Sequence, residues 1–239
     1  MTSNIVSKQR RPELRSHAFP DAIFRQFGGV CIGGVTLPMP PSAAGGDSVG
    51  AVAVRNGFVS FVTDGQGKGM MASHLGRMMH QYVVSAINRG QVSPPAILHE
   101  LNEGLLSEQM FGCAAVLHCD GWRLTASVAG FPAPALFFPD GRMERFPIAG
   151  TILGLTPLPE FDSCTRDIQP AMFLTIFSDG VTEAEAPDGE LFTVEKFGEI
   201  LDQGQSMATN LLDCVNAVLT HCGQQQDDIS LLIAQANGL

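Results

Sequence analysis

Apolar residues along the chain fall into two kinds of run: short β-prone stretches, and a few longer ones with helical spacing. Residues 28–37 (GGVCIGGVTL) read as a buried first strand. Pro38, Pro40, Pro41 and the Gly45-Gly46 pair then punctuate a loop leading to Asp47. Residues 48–54 and 58–63 read as two strands joined around Asn56-Gly57, the strongest short-range hairpin signal in the chain. From about residue 70 to 88 the period changes. Met71, Leu75, Met78, Tyr82 and Ile87 recur at roughly helical spacing, and Met70, Met79, Val83 and Ala86 widen the apolar face. The pattern predicts a helix buried on most sides, His74 and His80 included, with its methionines filling core. Pro94-Pro95 opens a second helix running to about residue 108, with Leu98, Leu101, Leu105 and Leu106 inward.

The β period then returns over 112–119, 122–129, 135–138 and 142–146, with turns at Asp120-Gly121 and Asp140-Gly141. Further strands are expected at 163–168 and 172–177, helices at 193–201 and 207–221, and a last strand at 229–234. Helices thus cluster in two places between sets of mainly consecutive strands. That order favours an α+β fold, with helices layered on antiparallel sheets, over an alternating parallel one.

Composition narrows the picture. A hydrophobic share of 45% and a mean hydropathy of +0.15 over 239 residues can fill the core of one substantial domain. Lys8, Arg10, Arg11, Arg15 and Arg25 face only Glu13 and Asp21 in the first stretch, so residues 1–27 read as a basic tail or docking segment and 28–239 as the domain. The net charge of −10 argues against general nucleic-acid binding, which needs a basic face. No run has the apolar length of a membrane helix, and the N-terminus lacks the apolar centre of a signal peptide. The six cysteines show no CxxC pair and read as reduced core thiols, which points to a cytoplasmic protein.

Two β-prone runs end abruptly in Asp-Gly, FVTDGQGKG at Asp64-Gly65 and FSDGVTEA at Asp179-Gly180. Each puts a carboxylate at the rim of a sheet. A Gly-Gly-Asp upstream (Asp47) and an Asp-Asp pair near the end (Asp227, Asp228) suggest acids gathered from distant parts of the chain. Hard divalent cations such as Mg²⁺ and Mn²⁺ prefer such oxygen ligands, and two of them sharing a water could supply hydroxide near neutral pH. That nucleophile suits attack on a phosphate ester.

These residues resemble the PPM metal-dependent serine/threonine phosphatases, particularly their bacterial SpoIIE-type branch. GGD (45–47) and TDGQGKG (63–69) look like the first two metal motifs. GFPAPALF (130–137), ILGL (152–155), SDGVTEA (178–184) and DDISLLI (227–233) follow in family order. The resemblance implies a four-layer α-β-β-α sandwich, two antiparallel sheets flanked by helices, with two Mn²⁺ or Mg²⁺ ions between the sheets. It implies that Asp47 and Asp64 bridge the metals and activate water, that Gly65 offers its carbonyl, and that Asp179 and Asp227 hold one metal from the far side. Asp228 stays open between a ligand, a support for the ligands, and the cap before the last strand. The resemblance implies a phosphorylated regulatory protein as substrate, of the class of STAS-type anti-sigma-factor antagonists.

The chain departs from the branch in places. No acid follows Asp47 closely, and Gln66 stands where some members carry a His able to protonate the leaving alkoxide. Phe131 replaces a frequent His, with packing as a sufficient role, and none of the six histidines has ligand spacing. Lys68 reads as a solvent-facing residue at a helix start. Glu183 reads as a brace for its loop. The alternative reading is a pseudophosphatase that binds phosphoprotein without turnover. A weaker likeness of DGVTE to haloacid-dehalogenase phosphatases fails, because no Asp-x-Asp follows an early strand.

Overall fold

The computed structural model describes residues 22–237. Two antiparallel sheets stack face to face. One has the order β1-β2-β11-β10-β7-β8, from β1 (Ile23–Phe27), β2 (Val30–Leu37), β7 (Ala135–Phe137), β8 (Met143–Arg145), β10 (Phe173–Phe177) and β11 (Ile229–Ala236). The other runs β3-β4-β5-β6-β9, from β3 (Asp47–Val54), β4 (Gly57–Gly65), β5 (Gly112–Asp120), β6 (Arg123–Ala129) and β9 (Ser163–Asp167).

Strand alternation builds the layers. On β4, Phe58 and Val62 point between the sheets, whereas Val59 and Phe61 point outward onto α1 (Gly69–Asn88) and α2 (Pro94–Glu108). On β11, Leu232 and Ala234 join the central core, while Leu231 and Ile233 meet α5 (Met207–Cys222). Three apolar cores therefore separate four layers, helix, sheet, sheet, helix, as expected of this α+β class.

Four local expectations are corrected. The basic tail assigned to 1–27 lies outside the described residues up to 21, but Ile23–Phe27 is an edge strand paired with β2 around Gly28 (φ +55°). Its mostly exposed IFRQF sequence carries no alternation that would mark a strand. On α1 the buried stripe is Ala72, Leu75, Gly76, Met79, Val83, Ala86 and Ile87. Met70 and Met71 are 89% and 72% exposed and His74 faces solvent, because Ala72 and Gly76 seat the first turns of the helix on the sheet, and only Met79 of its methionines is fully buried. The β3–β4 turn is Arg55-Asn56, neither with positive φ, and Gly57 already pairs with Val54. Gly57 is required by close approach, since a Cβ there would lie 1.9 Å from the Cys119 carbonyl oxygen. Finally, the helix expected over 193–201 is broken into a 3-10 turn (Val194–Lys196) and α4 (Phe197–Ile200).

Candidate metal centre

The antiparallel register sets Asp47, the first residue of β3, directly opposite Asp64 near the end of β4. From the other sheet, β10 ends at Phe177 and Asp179 opens the single turn α3 (Asp179–Thr182), while Asp227 and Asp228 immediately precede β11. The β10–β11 pairing joins these last two segments. Ser178 N donates to the Ser230 carbonyl at 3.0 Å, Ser230 N donates to Ser178 Oγ at 2.9 Å, and Ser178 Oγ donates to the Asp228 carbonyl at 3.3 Å. Gly180 passes so close that a Cβ would stand 2.0 Å from the Asp228 carbonyl oxygen.

Glycines bring the two sheets' acids together. A Cβ on Gly45 would lie 2.0 Å from Asp228 Oδ2, and one on Gly46 would lie 2.3 Å from the Gly65 carbonyl oxygen. Asp228 accepts from Met39 N through Oδ1 at 2.7 Å and from Gly46 N through Oδ2 at 2.8 Å. Both its oxygens thus clamp the β2–β3 loop to the start of β11. Asp227, more exposed, leaves one Oδ to the Asp228 backbone N–H at 2.8 Å.

The carboxylates feel one another. Burial pushes Asp64 up to about 6, with the negative charge of Asp179 adding to it and those of Asp227 and Asp228 contributing less. Asp47 is raised well above the usual carboxylate range by burial and then by Asp64, with the nearby Ser230 hydroxyl pulling the other way. Asp179 is raised by burial and by Asp227. None of these acids is ion-paired among the described residues.

Among the described residues no three His, Cys, Asp or Glu side chains close into a ready metal-binding group. The acids are grouped but not drawn in. Asp47 Oδ2 is nonetheless sealed from solvent with no hydrogen-bond partner, which a protein interior rarely tolerates. An orphaned carboxylate oxygen among unpaired like charges is what a hard divalent cation satisfies. The residues present therefore fit such an ion.

The remaining candidates are placed as follows. Gly65 N donates to the Gly46 carbonyl at 3.1 Å. Gln66 is exposed, and its backbone N–H reaches the Phe111 carbonyl at 3.3 Å. Lys68 is exposed at the start of α1, with Nζ 3.8 Å from Met39 Sδ. Phe131 is buried in the central core, and Glu183 ends α3. His80 shares a bond of 3.1 Å with Ser48 Oγ, itself 3.0 Å from Thr63 Oγ1. With Arg77 and Ser73 it lines a cavity of about 420 Å³ beside Asp47. Of the three roles the sequence left open for Asp228, its bonds to Met39 N and Gly46 N match the support, and no local signal names those partners, which are remote in sequence.

A model of the family described as Stage II sporulation protein E (SpoIIE) matches residues 55–237, a span that contains Asp64, Asp179, Asp227 and Asp228. Asp47 lies upstream of it and joins the group through its pairing with Asp64. The fold is similar to the SiaA-PP2C domain of Pseudomonas aeruginosa, at 19% identity and TM-score 0.71, over 84% of this chain and 85% of that one. It is also similar to RsbX in complex with magnesium, at 18% and TM-score 0.66, over 90% and 98%. The RsbU and RsbW domains of Rv1364c from Mycobacterium tuberculosis match at 20% and TM-score 0.75, over 91% and 62%. No curated protein matches the sequence. The acids collected at one end of a double antiparallel sheet, and a family match over most of the length, lead to one conclusion: the chain belongs to the SpoIIE family of PP2C-type metal-dependent protein phosphatases.

Proposed function

We propose that the chain hydrolyses phosphoserine or phosphothreonine on a bacterial regulatory protein, with Asp47, Asp64, Asp179, Asp227 and the Gly65 carbonyl holding two Mn²⁺ or Mg²⁺ ions. The observation that carries this reading is Asp47 Oδ2, a buried oxygen with no partner, directly opposite an Asp64 that in turn feels the charges of Asp179, Asp227 and Asp228 from the other sheet. Cations held there would supply Lewis acidity, bringing the pKa of a coordinated water toward neutrality. Asp47 and Asp64 face each other across one strand pair and so fix the ligand spacing through the β3–β4 ladder. Asp228 acts as the clamp that keeps Gly46, and with it Asp47, in register. In the overall reaction the bond from phosphorus to the substrate oxygen breaks, a bond to the water oxygen forms, and the leaving alkoxide takes a proton. Gln66 cannot give that proton.

A STAS-type antagonist in a partner switch is the substrate class we favour, because solved structures sharing this fold include the RsbU and RsbW domains and a protein of the bacterial stressosome. That setting implies a cytoplasmic protein in stress signalling. No helix among the described residues is long and apolar enough to cross a membrane. Asp64→Asn and Asp179→Asn are each expected to lower Mn²⁺-dependent hydrolysis of p-nitrophenyl phosphate by about 10²-fold or more. Unchanged turnover in both variants refutes the assignment. Gln66, and acids not drawn into a closed group, favour a second reading, a phosphoprotein-binding module. Metal binding without turnover in the wild type would select it.

A further inference from the structure

Beside Asp64 the surface changes character. A groove of about 350 Å³ runs from Asp64 and Gln66 past Phe111 and Cys113 to Ile152 and Leu155. Its large apolar side chains stand in water, Phe111 39%, Ile152 42% and Leu155 59% exposed. Single exposed apolar residues are ordinary, but three converging on one carboxylate are not.

The backbone under them is pinned. Leu153, wholly buried, exchanges hydrogen bonds with Gly112 at 3.0 and 3.3 Å. Asn102, buried in α2, accepts from Gly154 N at 2.8 Å and donates to the Thr156 carbonyl at 3.1 Å. Gly154 holds φ +79° and lies so close to the Met110 carbonyl oxygen that a Cβ would be 1.9 Å from it. The bond from Gln66 N to the Phe111 carbonyl ties the groove wall to the strand carrying Asp64. The fold thus pins this loop and turns Leu155 outward, while Ile152 lies over Gly130 and keeps 42% of its surface in water. The Cys113 thiol in the wall, pushed up to about 12 chiefly by burial, stays neutral.

We propose that this groove receives an aliphatic side chain flanking the phosphorylated residue of the protein substrate, with Phe111, Ile152 and Leu155 selecting the sequence beside the scissile phosphate. The inference rests on the phosphatase reading above. Continuity with Asp64 places the groove one or two extended residues, at about 3.3–3.6 Å each, from a phosphate held at the acids. Its volume admits one or two side chains and is too small for a helix.

The test compares two phosphoserine peptides of equal length and charge on the intact chain with Mn²⁺, one with Leu on both sides of the phosphoserine and one with Asn. The wild type should favour the Leu peptide in kcat/KM by about tenfold. Leu155→Asp and Ile152→Asp should abolish that preference, read as the Leu-to-Asn ratio of kcat/KM within each variant so that any change common to all substrates, p-nitrophenyl phosphate included, cancels. Equal use of the two peptides by the wild type, or a preference that survives both substitutions, overturns the inference while the phosphatase reading stands. A wild type that self-associates in sedimentation and becomes monomeric as Leu155→Asp assigns the groove to a second copy of this chain, and overturns it too. No turnover of any substrate, p-nitrophenyl phosphate included, removes the phosphatase reading and this inference together.

Discussion

Asp64 carries a carboxyl raised to about 6 by burial and by Asp179, and Asp47 opposite is raised further in the same direction. A carboxyl whose folded pKa exceeds its unfolded value of ~3.9 contributes stability that is complete below that value. The contribution is lost as pH rises through the folded pKa. The metal-free protein should therefore be more stable at pH 5 than at pH 7.5. Asp64→Asn removes a buried like charge, so in EDTA at pH 7.5 its Tm should exceed the wild type's by about 2–4 °C. The gap should close at pH 5, and a lower Tm for the variant at pH 7.5 would contradict the electrostatic account. The positions of these acids were legible in the sequence, because Asp-Gly at the end of a β-prone run is a local signal. The division of labour between Asp227 and Asp228 was not. It depends on which carboxylate meets Met39 N and Gly46 N, nearly the whole chain away.

At the scale of elements, α1 meets the loops that carry the acids at their glycines, with Ala72 beside Gly46 and Leu75 beside Gly65. A Cβ on Gly76 would meet the Gly46 carbonyl oxygen at 2.2 Å, and one on Gly65 would meet Gly76 N at 3.0 Å. Helix, β2–β3 loop and β4 are therefore packed at glycine distance, and at Gly76 itself only the Gly46 backbone stands opposite. Gly76→Ala isolates this contact. Helix propensity favours Ala by about 1 kcal/mol, but a backbone oxygen at 2.2 Å cannot rotate aside. The variant should keep its helix content by circular dichroism and lose Mn²⁺ affinity by about tenfold or more in calorimetry. Unaltered affinity would mean that α1 does not set the geometry of the acids. The same contact explains why the sequence misled about the face of α1. Periodicity located the helix closely, yet hydrophobicity ranked Met70 and Met71 above Ala72 and Gly76, whereas close approach to Gly46 selects the smallest residues. Strand β1 was hidden for a related reason, since an edge strand with an exposed centre has no alternation to read.

On the scale of the whole molecule, the acids lie at one end of a four-layer sandwich whose other end holds the only tryptophan. Trp122 packs over Gly29 beside the β3–β4 turn and against the central core. It is separated from Asp64 by roughly 24 Å of strand, at about 3.4 Å per residue. The central core is continuous from Val62 and Phe58 on β4 to Leu232 on β11, so no layer boundary isolates the acidic end from the tryptophan end. Unfolding should accordingly be a single event. Denaturation followed by Trp122 fluorescence and by far-ultraviolet circular dichroism should give coincident midpoints. A cation that binds only the native chain stabilises all of it by RT ln(1 + [L]/Kd), about 2.7 kcal/mol at a hundredfold excess over Kd. Mn²⁺ at that excess should shift both transitions upward together, by about 5–10 °C for a chain of this size. Asp179→Asn should abolish the shift in both probes, although the substitution is remote from the tryptophan. A metal-induced shift seen by circular dichroism but not by Trp122 would show that the two ends melt separately, and that metal binding steadies only the edge of the sandwich that carries the acids.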